Sequence, residues 1–399
     1  MRNIFSSWIY ILLIIFIVIE ILGFLSINQF LNKKKQKLIV LCIYFSLTFA
    51  YFAPLLYVFV NPERISLLNN YNFFYLTIFL TLINVFPKFI LSIFYLFSLP
   101  FKLINIRYSK IISLSGSILS FGVLLVLIYS LFLGRKVIQT EKVKIEIPSL
   151  PSELSGLKII QISDFHLGSF KNSNFINNIS EKINSLDPDL LLFTGDAVNN
   201  FAQEMDGFES ALKKMKAQYG KFAILGNHDY GDYSKWKSVK EKQNNQLRID
   251  RNLMDAGFIL LRNDSKKIVY KNTPFYIIGV ENWGKPPFPQ YADINKAMEN
   301  IPKDAFKILL SHDPQYWTKI IVPETNIPLT LSGHTHGGQF SIKLAGFSFS
   351  PIYFIQKRWK GLYHEDNQYL YVNTGIGCVG FPGRIDMNPE ITVITLMDN

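Results

Sequence analysis

Cysteine is almost missing from this sequence: two residues in 399 exclude a disulfide framework and leave the redox compartment unread. Glycine, at 23, and proline, at 18, are too few for a collagen-like or low-complexity chain. Acidic residues are scarce in the first third, where residues 1–133 set ten Lys/Arg against Glu20 and Glu63 alone, and histidine does not occur there at all. Apolar surface is what abounds, with 49% hydrophobic residues and 34 Phe. An ordinary soluble domain of this length is less greasy, so a membrane-embedded region is expected.

The formal net charge of +11 invites a nucleic-acid partner until it is mapped along the chain. Residues 1–133 carry +8 of it and residues 134–399 only +3. Basic residues between apolar runs follow the positive-inside rule, whereas nucleic-acid domains gather them on a soluble face, so no nucleic-acid partner is expected.

Four apolar segments, at about 8–31, 38–60, 71–99 and 111–133, are each long enough to cross roughly 30 Å of hydrocarbon at 1.5 Å per residue. The first exceeds a signal-peptide core of about 7–15 residues and lacks an Ala-x-Ala cleavage pattern, so it reads as a retained helix. Pro87-Lys88 leaves open a division of the third segment. Lys33, Lys34, Lys35 and Lys37, then Lys102, Arg107 and Lys110, place the first and third loops in the cytoplasm against a second loop holding Glu63 and Arg64. Both termini and everything beyond residue 134 then lie on the outer side of a multi-pass cell-membrane protein, although Arg135, Lys136, Lys142 and Lys144 pull the other way. Glu20 sits mid-span without a visible partner and is expected to be a neutral, inward-facing packing residue.

From about residue 140 the texture changes. Strand-length apolar runs at 158–163, 190–194 and 222–225 alternate with amphipathic stretches at 174–185 and 208–217. Further strands are expected at 258–261, 268–270, 275–280, 306–310, 329–332, 369–372 and 391–396. So many strands imply two packed sheets with helices outside. The expected organisation is a membrane domain of about four transmembrane helices at 1–133, a linker at 134–156, and an α/β domain at 157–399 built as a four-layer α-β-β-α sandwich.

Chemistry gathers where those strands end. Asp164-Phe-His166 follows the first, Gly195-Asp196 the second, Gly226-Asn227-His228-Asp229 the third, His312 a later one, and Gly333-His334-Thr-His336-Gly-Gly-Gln another. Strand ends share one edge of an α/β sheet, so these distant residues can converge. Five of the six histidines lie in these turns; His364, with only a loop context, is set aside. Each motif alone has a plain reading as a turn, a cap or a core histidine. Together, oxygen and nitrogen donors without thiol, each closing a strand, point to a metal site.

These motifs resemble those of the calcineurin-like metallophosphoesterases, over roughly residues 157–396. The Gly-His-Thr-His-Gly-Gly-Gln motif, the stretch from Tyr371 to Gly377 with Arg384, and the preceding apolar segments look most like the membrane-anchored bacterial branch, which holds phosphodiesterases and enzymes similar to UDP-2,3-diacylglucosamine pyrophosphatases. The resemblance assigns Asp164, His166 and His336 to one divalent ion, Asn227, His312 and His334 to a second, and Asp196 to both. Mn, Fe or Zn suits such donors. Asn199 departs from the family's Gly-Asp-x-x-Asp at its last place, which bears on tuning around the metals.

The resemblance further implies hydrolysis of a phosphodiester or pyrophosphate by a metal-activated hydroxide, with His228 protonating the leaving oxygen and Asp229 orienting its ring. Arg384 and Lys285 are candidates to hold a substrate phosphate. Proximity to a bilayer favours a lipid-linked substrate. Two aromatic stretches, 283–288 and 347–359, read equally as membrane-interface contacts or as loops closing the pocket. A cytoplasmic domain would favour the UDP-2,3-diacylglucosamine pyrophosphatase reading of lipid A synthesis. A non-catalytic metal- or phosphate-binding membrane sensor or scaffold is the alternative of another class.

Overall fold

The structure, a computed structural model, describes residues 2–60, 71–286, 288–344 and 347–398, without the side chains of 2–10, 12, 58–60, 72 and 344. The chain forms two compact units, Met1–Pro62 with Phe73–Phe132, and Glu63–Asn72 with Leu133–Asn399.

Among the described residues the first unit holds the helices α1 (Arg2–Asn28), α2 (Lys34–Val60), α3 (Tyr71–Ile104) and α4 (Ile106–Phe132). Among the described residues three stretches are long and apolar enough to cross a membrane, Lys34–Tyr57, Phe73–Ile104 and Ile106–Lys136, while the apolar part of α1 that qualifies is the shorter Leu13–Asn28. Pro87 does not divide the third segment: α3 runs through it to Ile104. Ser120 on α4 donates to the Pro87 carbonyl at 2.9 Å, pinning the two helices together at the proline. One turn earlier on α4, Gly116 has no room for a side chain, since a Cβ there would lie 2.3 Å from the Cβ of Phe94. Close backbone approach through small residues is how helices pack where hydrophobicity gives no preference for protein over lipid. Loop two, with Glu63 and Arg64, lies outside the described residues.

Glu20 corrects the expectation made for it. The carboxylate is buried and ion-paired with Lys88 of α3, whose Nζ lies 2.8 and 3.0 Å from its two oxygens. Thr48 and Tyr51 of α2 donate to the same carboxylate at 2.7 and 3.2 Å, and Lys88 Nζ stands 4.1 Å from the centre of the Tyr44 ring. The sequence hides this pair because its members are 68 residues apart and Lys88 follows a proline that looks like a helix end.

In the second unit, alternation within each strand builds three layers of core. Ile159, Leu190 and Leu192 face inward with Ile308, Leu310, Leu329 and Leu331 of the opposite sheet, while Ile160, Leu191 and Phe193 face outward. One six-stranded sheet has the order β1 (Gln139–Glu146), β14 (Glu390–Met397), β2 (Lys158–Ile162), β3 (Leu190–Phe193), β4 (Lys221–Ala223), β5 (Phe258–Leu260). The other runs β12 (Gly361–Glu365), β13 (Gln368–Val372), β9 (Leu329–Ser332), β8 (Phe306–Leu310), β7 (Thr273–Gly279), β6 (Asp264–Tyr270). Strands β2 to β5 are parallel, as are β13, β9, β8 and β7, so each sheet presents its C-terminal ends along one edge.

The outer face of the first sheet is covered by α5 (Asn174–Ser185), α6 (Glu209–Lys214) and α7 (Val239–Asp255) through Ile176, Ile179, Ile183, Leu212, Ile249 and Leu253. The second sheet is covered by α8 (Ile294–Met298) and the helical stretch 314–324 through Ile294, Tyr316, Trp317 and Ile321. The result is the four-layer α-β-β-α sandwich. Within the stretch read as a linker, Gln139–Glu146 is a strand paired with β14 over its whole length.

Candidate metal centre

Strands end where side chains with strong local hydrogen bonding can hold a left-handed turn, and that is what happens here. Asp164, His166, Asp196, His334 and His336 all have positive φ, between 41° and 73°. Five non-glycine residues in that region, three at the edge of the first sheet and two at that of the second, are backbone strain that the surrounding fold holds in place. Two glycines make the close approach feasible: a Cβ on Gly226 would sit 2.2 Å from Asp196 Oδ1, and one on Gly333 would sit 1.9 Å from Ser163 Oγ.

The two sheet edges meet at this point. Gln161 of β2 donates to the Ser332 carbonyl of β9 at 2.8 Å, and His312 Nδ1 lies 2.7 Å from the Thr194 carbonyl. That carbonyl accepts the Nδ1 proton, so Nε2 is the atom that His312 turns towards Asp196 and that would bind a cation. Nε2 stands 3.1 Å from Asp196 Oδ2 and 3.0 Å from Asn227 Oδ1. His334 Nδ1 is 2.8 Å from the same Asn227 oxygen. On the other side of Asp196, His166 Nε2 is 3.5 Å from Oδ2 and 3.1 Å from His336 Nε2, which lies 3.3 Å from Asp164 Oδ1.

Seven potential ligands, Asp196 among them, therefore gather at this point, four from the strand ends of the first sheet and three from those of the second. Three sets, Asp164 with His166 and His336, His166 with Asp196 and His228, and Asp164 with Asp196 and His312, have ligand atoms within 4.8 Å of one another and could hold a metal ion. All but Asn227, His228 and His334 among these residues are buried.

Electrostatics divide the imidazoles: against the pull of burial, the Asp196 carboxylate raises His312 to about 10, whereas the other side of the centre is neutral. Burial pushes His166 down to about 3 and His336 well below the imidazole range, so two neutral rings face each other with Nε2 atoms at contact distance. Neutral imidazoles offer lone pairs, and a cation is the species that satisfies both at once. Against the pull of burial, the imidazoles of His312 and His228 hold Asp196 well below the carboxylate range.

Two expected roles change. The Asp229 carboxylate does not meet the His228 ring; it accepts N–H bonds from Asp196, Ala197, Val198 and Gly226 at 2.8–3.2 Å, tying the second and third strand-end turns together. His228 is oriented instead by the Asn199 carbonyl, 2.8 Å from its Nδ1. Arg384 cannot hold substrate: it is fully buried, and its guanidinium donates to the carbonyls of Gly377, Thr374 and Met387. Those bonds brace the 374–387 loop behind His336, from whose Nδ1 Arg384 Nη2 lies 3.3 Å. Lys285 is exposed on the 283–290 segment.

Tyr233 was not anticipated. Its ring stacks on His228 at 4.5 Å, and its hydroxyl accepts from Asn227 Nδ2 at 2.9 Å, which turns Oδ1 towards His312 and His334. Nothing in a polar loop marks such a residue in advance. His364 lies on β12 rather than in a loop, stacked on Tyr369 and exposed.

The family model for calcineurin-like phosphoesterases matches residues 157–338. A Bacillus subtilis protein named uncharacterized metallophosphoesterase YkuE is 31% identical over 274 residues, covering 67% of this chain and 88% of that one. A Campylobacter jejuni protein, uncharacterized metallophosphoesterase Cj0846, is 28% identical over 404 aligned positions, 96% of this chain and 98% of the other. A Danio rerio transmembrane protein with metallophosphoesterase domain is 29% identical over 264 residues, 64% of this chain and 56% of that one. With its two-sheet sandwich and its strand-end donors, this chain belongs to the calcineurin-like metallophosphoesterases, a family of metal-dependent phosphoester hydrolases.

Proposed function

We propose that the chain seats two divalent ions, Mn, Fe or Zn, and hydrolyses a phosphodiester or pyrophosphate carried by a lipid. Asp164, His166 and His336 would hold one ion, Asn227, His312 and His334 the other, and Asp196 both. The observation that carries this reading is the approach of the donors on either side of Asp196, 3.1 Å to His312 and 3.5 Å to His166. When bound, such a pair supplies Lewis-acid charge for the phosphoryl oxygens and makes hydroxide available near pH 7.

The chain's own residues hold the geometry and move the proton. Asp229 and Arg384 keep the ligand loops in place without touching substrate. The half-buried His228 has Nδ1 engaged by the Asn199 carbonyl, so Nε2 is the atom from which a proton passes to the leaving oxygen. Tyr233 stacks on that ring and limits its rotation.

Helices of spanning length support the lipid-borne substrate, because tethering at a bilayer raises the effective concentration of phosphoesters in it. The printed name of the Danio rerio relative, a transmembrane protein, agrees. The lysines at 33–37 and the basic residues at 102–110 support a catalytic unit on the outer face.

The decisive experiment uses the full chain purified in detergent, with bound metal counted and bis(p-nitrophenyl) phosphate turnover measured with and without chelator. Two ions per chain and a chelator-sensitive activity are expected, both lost in Asp196→Ala. Fewer than two ions in a metal-replete, folded preparation, or full turnover in that variant, would overturn the reading. Labelling of cysteines placed at Lys35 and Lys110 in intact cells should fail if those loops are cytoplasmic.

A further inference from the structure

The two aromatic stretches that the sequence leaves equivalent part company in the structure. Trp283 is half-buried, packed on Tyr316 and lying beneath the Lys319 ammonium, and Phe288 rests 5.1 Å from Tyr233 at the rim of the metal centre. That stretch is a wall of the site. The other stretch projects instead. In the hairpin β10 (Ile342–Leu344) and β11 (Phe347–Phe349) and the turn that follows, Phe347 is 81% exposed, Phe354 75% and Ile355 78%, with Ile342, Phe349 and Tyr353 also exposed.

These side chains form one patch, since Phe349 and Phe354 meet edge to face at 5.9 Å and Tyr353 adjoins Phe354. A contiguous apolar surface of this kind marks an interaction site rather than ordinary surface. Residues 342–360 also carry Lys343, Lys357, Arg358 and Lys360 without one acid. Arg358 is paired with Glu365 at 3.1 Å, which leaves the lysines as the outward charge. Exposed aromatics ringed by lysine are the composition that enters an anionic headgroup layer.

The patch is also tied to the ligand loops. Thr335, between His334 and His336, donates to the Trp359 carbonyl at 2.7 Å. Gly338 packs so closely on Ile352 that a Cβ would lie 3.1 Å from its Cβ, and Gln356 Nε2 is 3.4 Å from Asp313, next to His312.

We infer that residues 342–344 and 347–360 form a membrane-contact surface that seats Phe347, Phe354 and Ile355 in an anionic lipid layer and so brings the strand-end loops to the headgroups. The partner is lipid because the charge is complementary and because every copy of the chain carries helices of membrane-spanning length. This inference concerns where the catalytic unit docks, and it stands or falls apart from metal content and turnover.

The test uses the full chain in nanodiscs, with Cys42→Ser and a nitroxide placed at Phe347→Cys or Phe354→Cys; Cys378 is buried and stays unlabelled. Collision rates with oxygen and with a water-soluble nickel chelate are compared with those of a label at Val269→Cys, an exposed position on β6. In discs containing phosphatidylglycerol, the oxygen-to-nickel ratio at 347 and 354 should rise several-fold over the Val269→Cys label. Changing Lys343, Lys357 and Lys360 to Glu should abolish the rise. A ratio equal to that of Val269→Cys would overturn the inference. Shielding from both reagents, the sign of a protein contact, would overturn it equally, and an unchanged rise in phosphatidylcholine discs would remove the anionic requirement.

Discussion

At the scale of single residues, His228 and Asp196 are neighbours with different proposed work: His228 N–H donates to Asp196 Oδ1 at 2.9 Å, while its ring, near that carboxylate but outside the seven proposed ligands, is turned by the Asn199 carbonyl. His228→Gln should therefore keep its metal and lose turnover. The loss should be about 10²–10⁴-fold on an alkyl phosphodiester and much smaller on a p-nitrophenyl ester, whose leaving group needs no proton. Equal losses on both esters would remove the proton-donor role. Tyr233→Phe keeps the stack on His228 but deletes the hydroxyl that accepts from Asn227. Metal affinity at the Asn227 position should fall about 10–100-fold, the usual consequence of removing a hydrogen bond behind a ligand. Titration with Mn²⁺ monitored by calorimetry reads this directly, and Tyr233→Ala should add a defect in kcat through the freed imidazole.

At the scale of elements, α1 and α3 of the first unit are joined by the buried Glu20–Lys88 ion pair. Glu20→Gln or Lys88→Met leaves the other charge uncompensated among apolar helices, and each should cost about 3–5 kcal/mol, whereas the double variant recovers most of it. Thermal unfolding of the three variants in detergent measures this; additive losses would show that the pair does not act as a unit.

Lys221 on β4 offers a test by pH. Burial, with help from Lys213, lowers its pKa to about 8. Between about 8 and the ordinary value near 10.5 the unfolded chain binds more protons than the folded one, so stability should rise with pH across that window, and below it the cost is constant. Lys221→Met should flatten this rise in a denaturant series from pH 8 to 10.

Elements also show what was legible beforehand. The parallel strands announce themselves as short runs of Ile, Leu and Phe because both of their faces are buried. Helix α7 does not: Ser238 caps it by accepting from Glu241 N–H, but its inner face mixes Ile249 and Leu253 with Asn245 and Asp250, which blurs the hydrophobic period. Strand β1 is an edge strand with Ile145 as its buried residue, so charged neighbours disguise it as a connection. The donors of the centre are readable because residue type and strand-end position are local facts. The work of Asp229 and Arg384 is not, since what a buried charge faces depends on loops far away in sequence.

At the scale of the whole molecule, the donors come from both sheets: Asp164, His166, Asp196 and Asn227 from one, His312, His334 and His336 from the other. Ions at a hundred times their dissociation constant add about 2.7 kcal/mol per site if the unfolded chain does not bind them. With both sites filled, the catalytic unit should then melt roughly 10–20 °C higher with saturating Mn²⁺ than with chelator, at about 2–4 °C per kcal/mol for a domain near this size. Differential scanning fluorimetry of the full chain checks this, and coincident curves would mean that no cation bridges the sheets.

The same division of donors sets a clock on biosynthesis. A ribosome that has released the chain only as far as β5 has delivered half a seat, and the imidazoles that complete it emerge after α8 and β8. Metallation is consequently a late checkpoint, and the nascent apo-protein must arrange its left-handed corners without a cation's help.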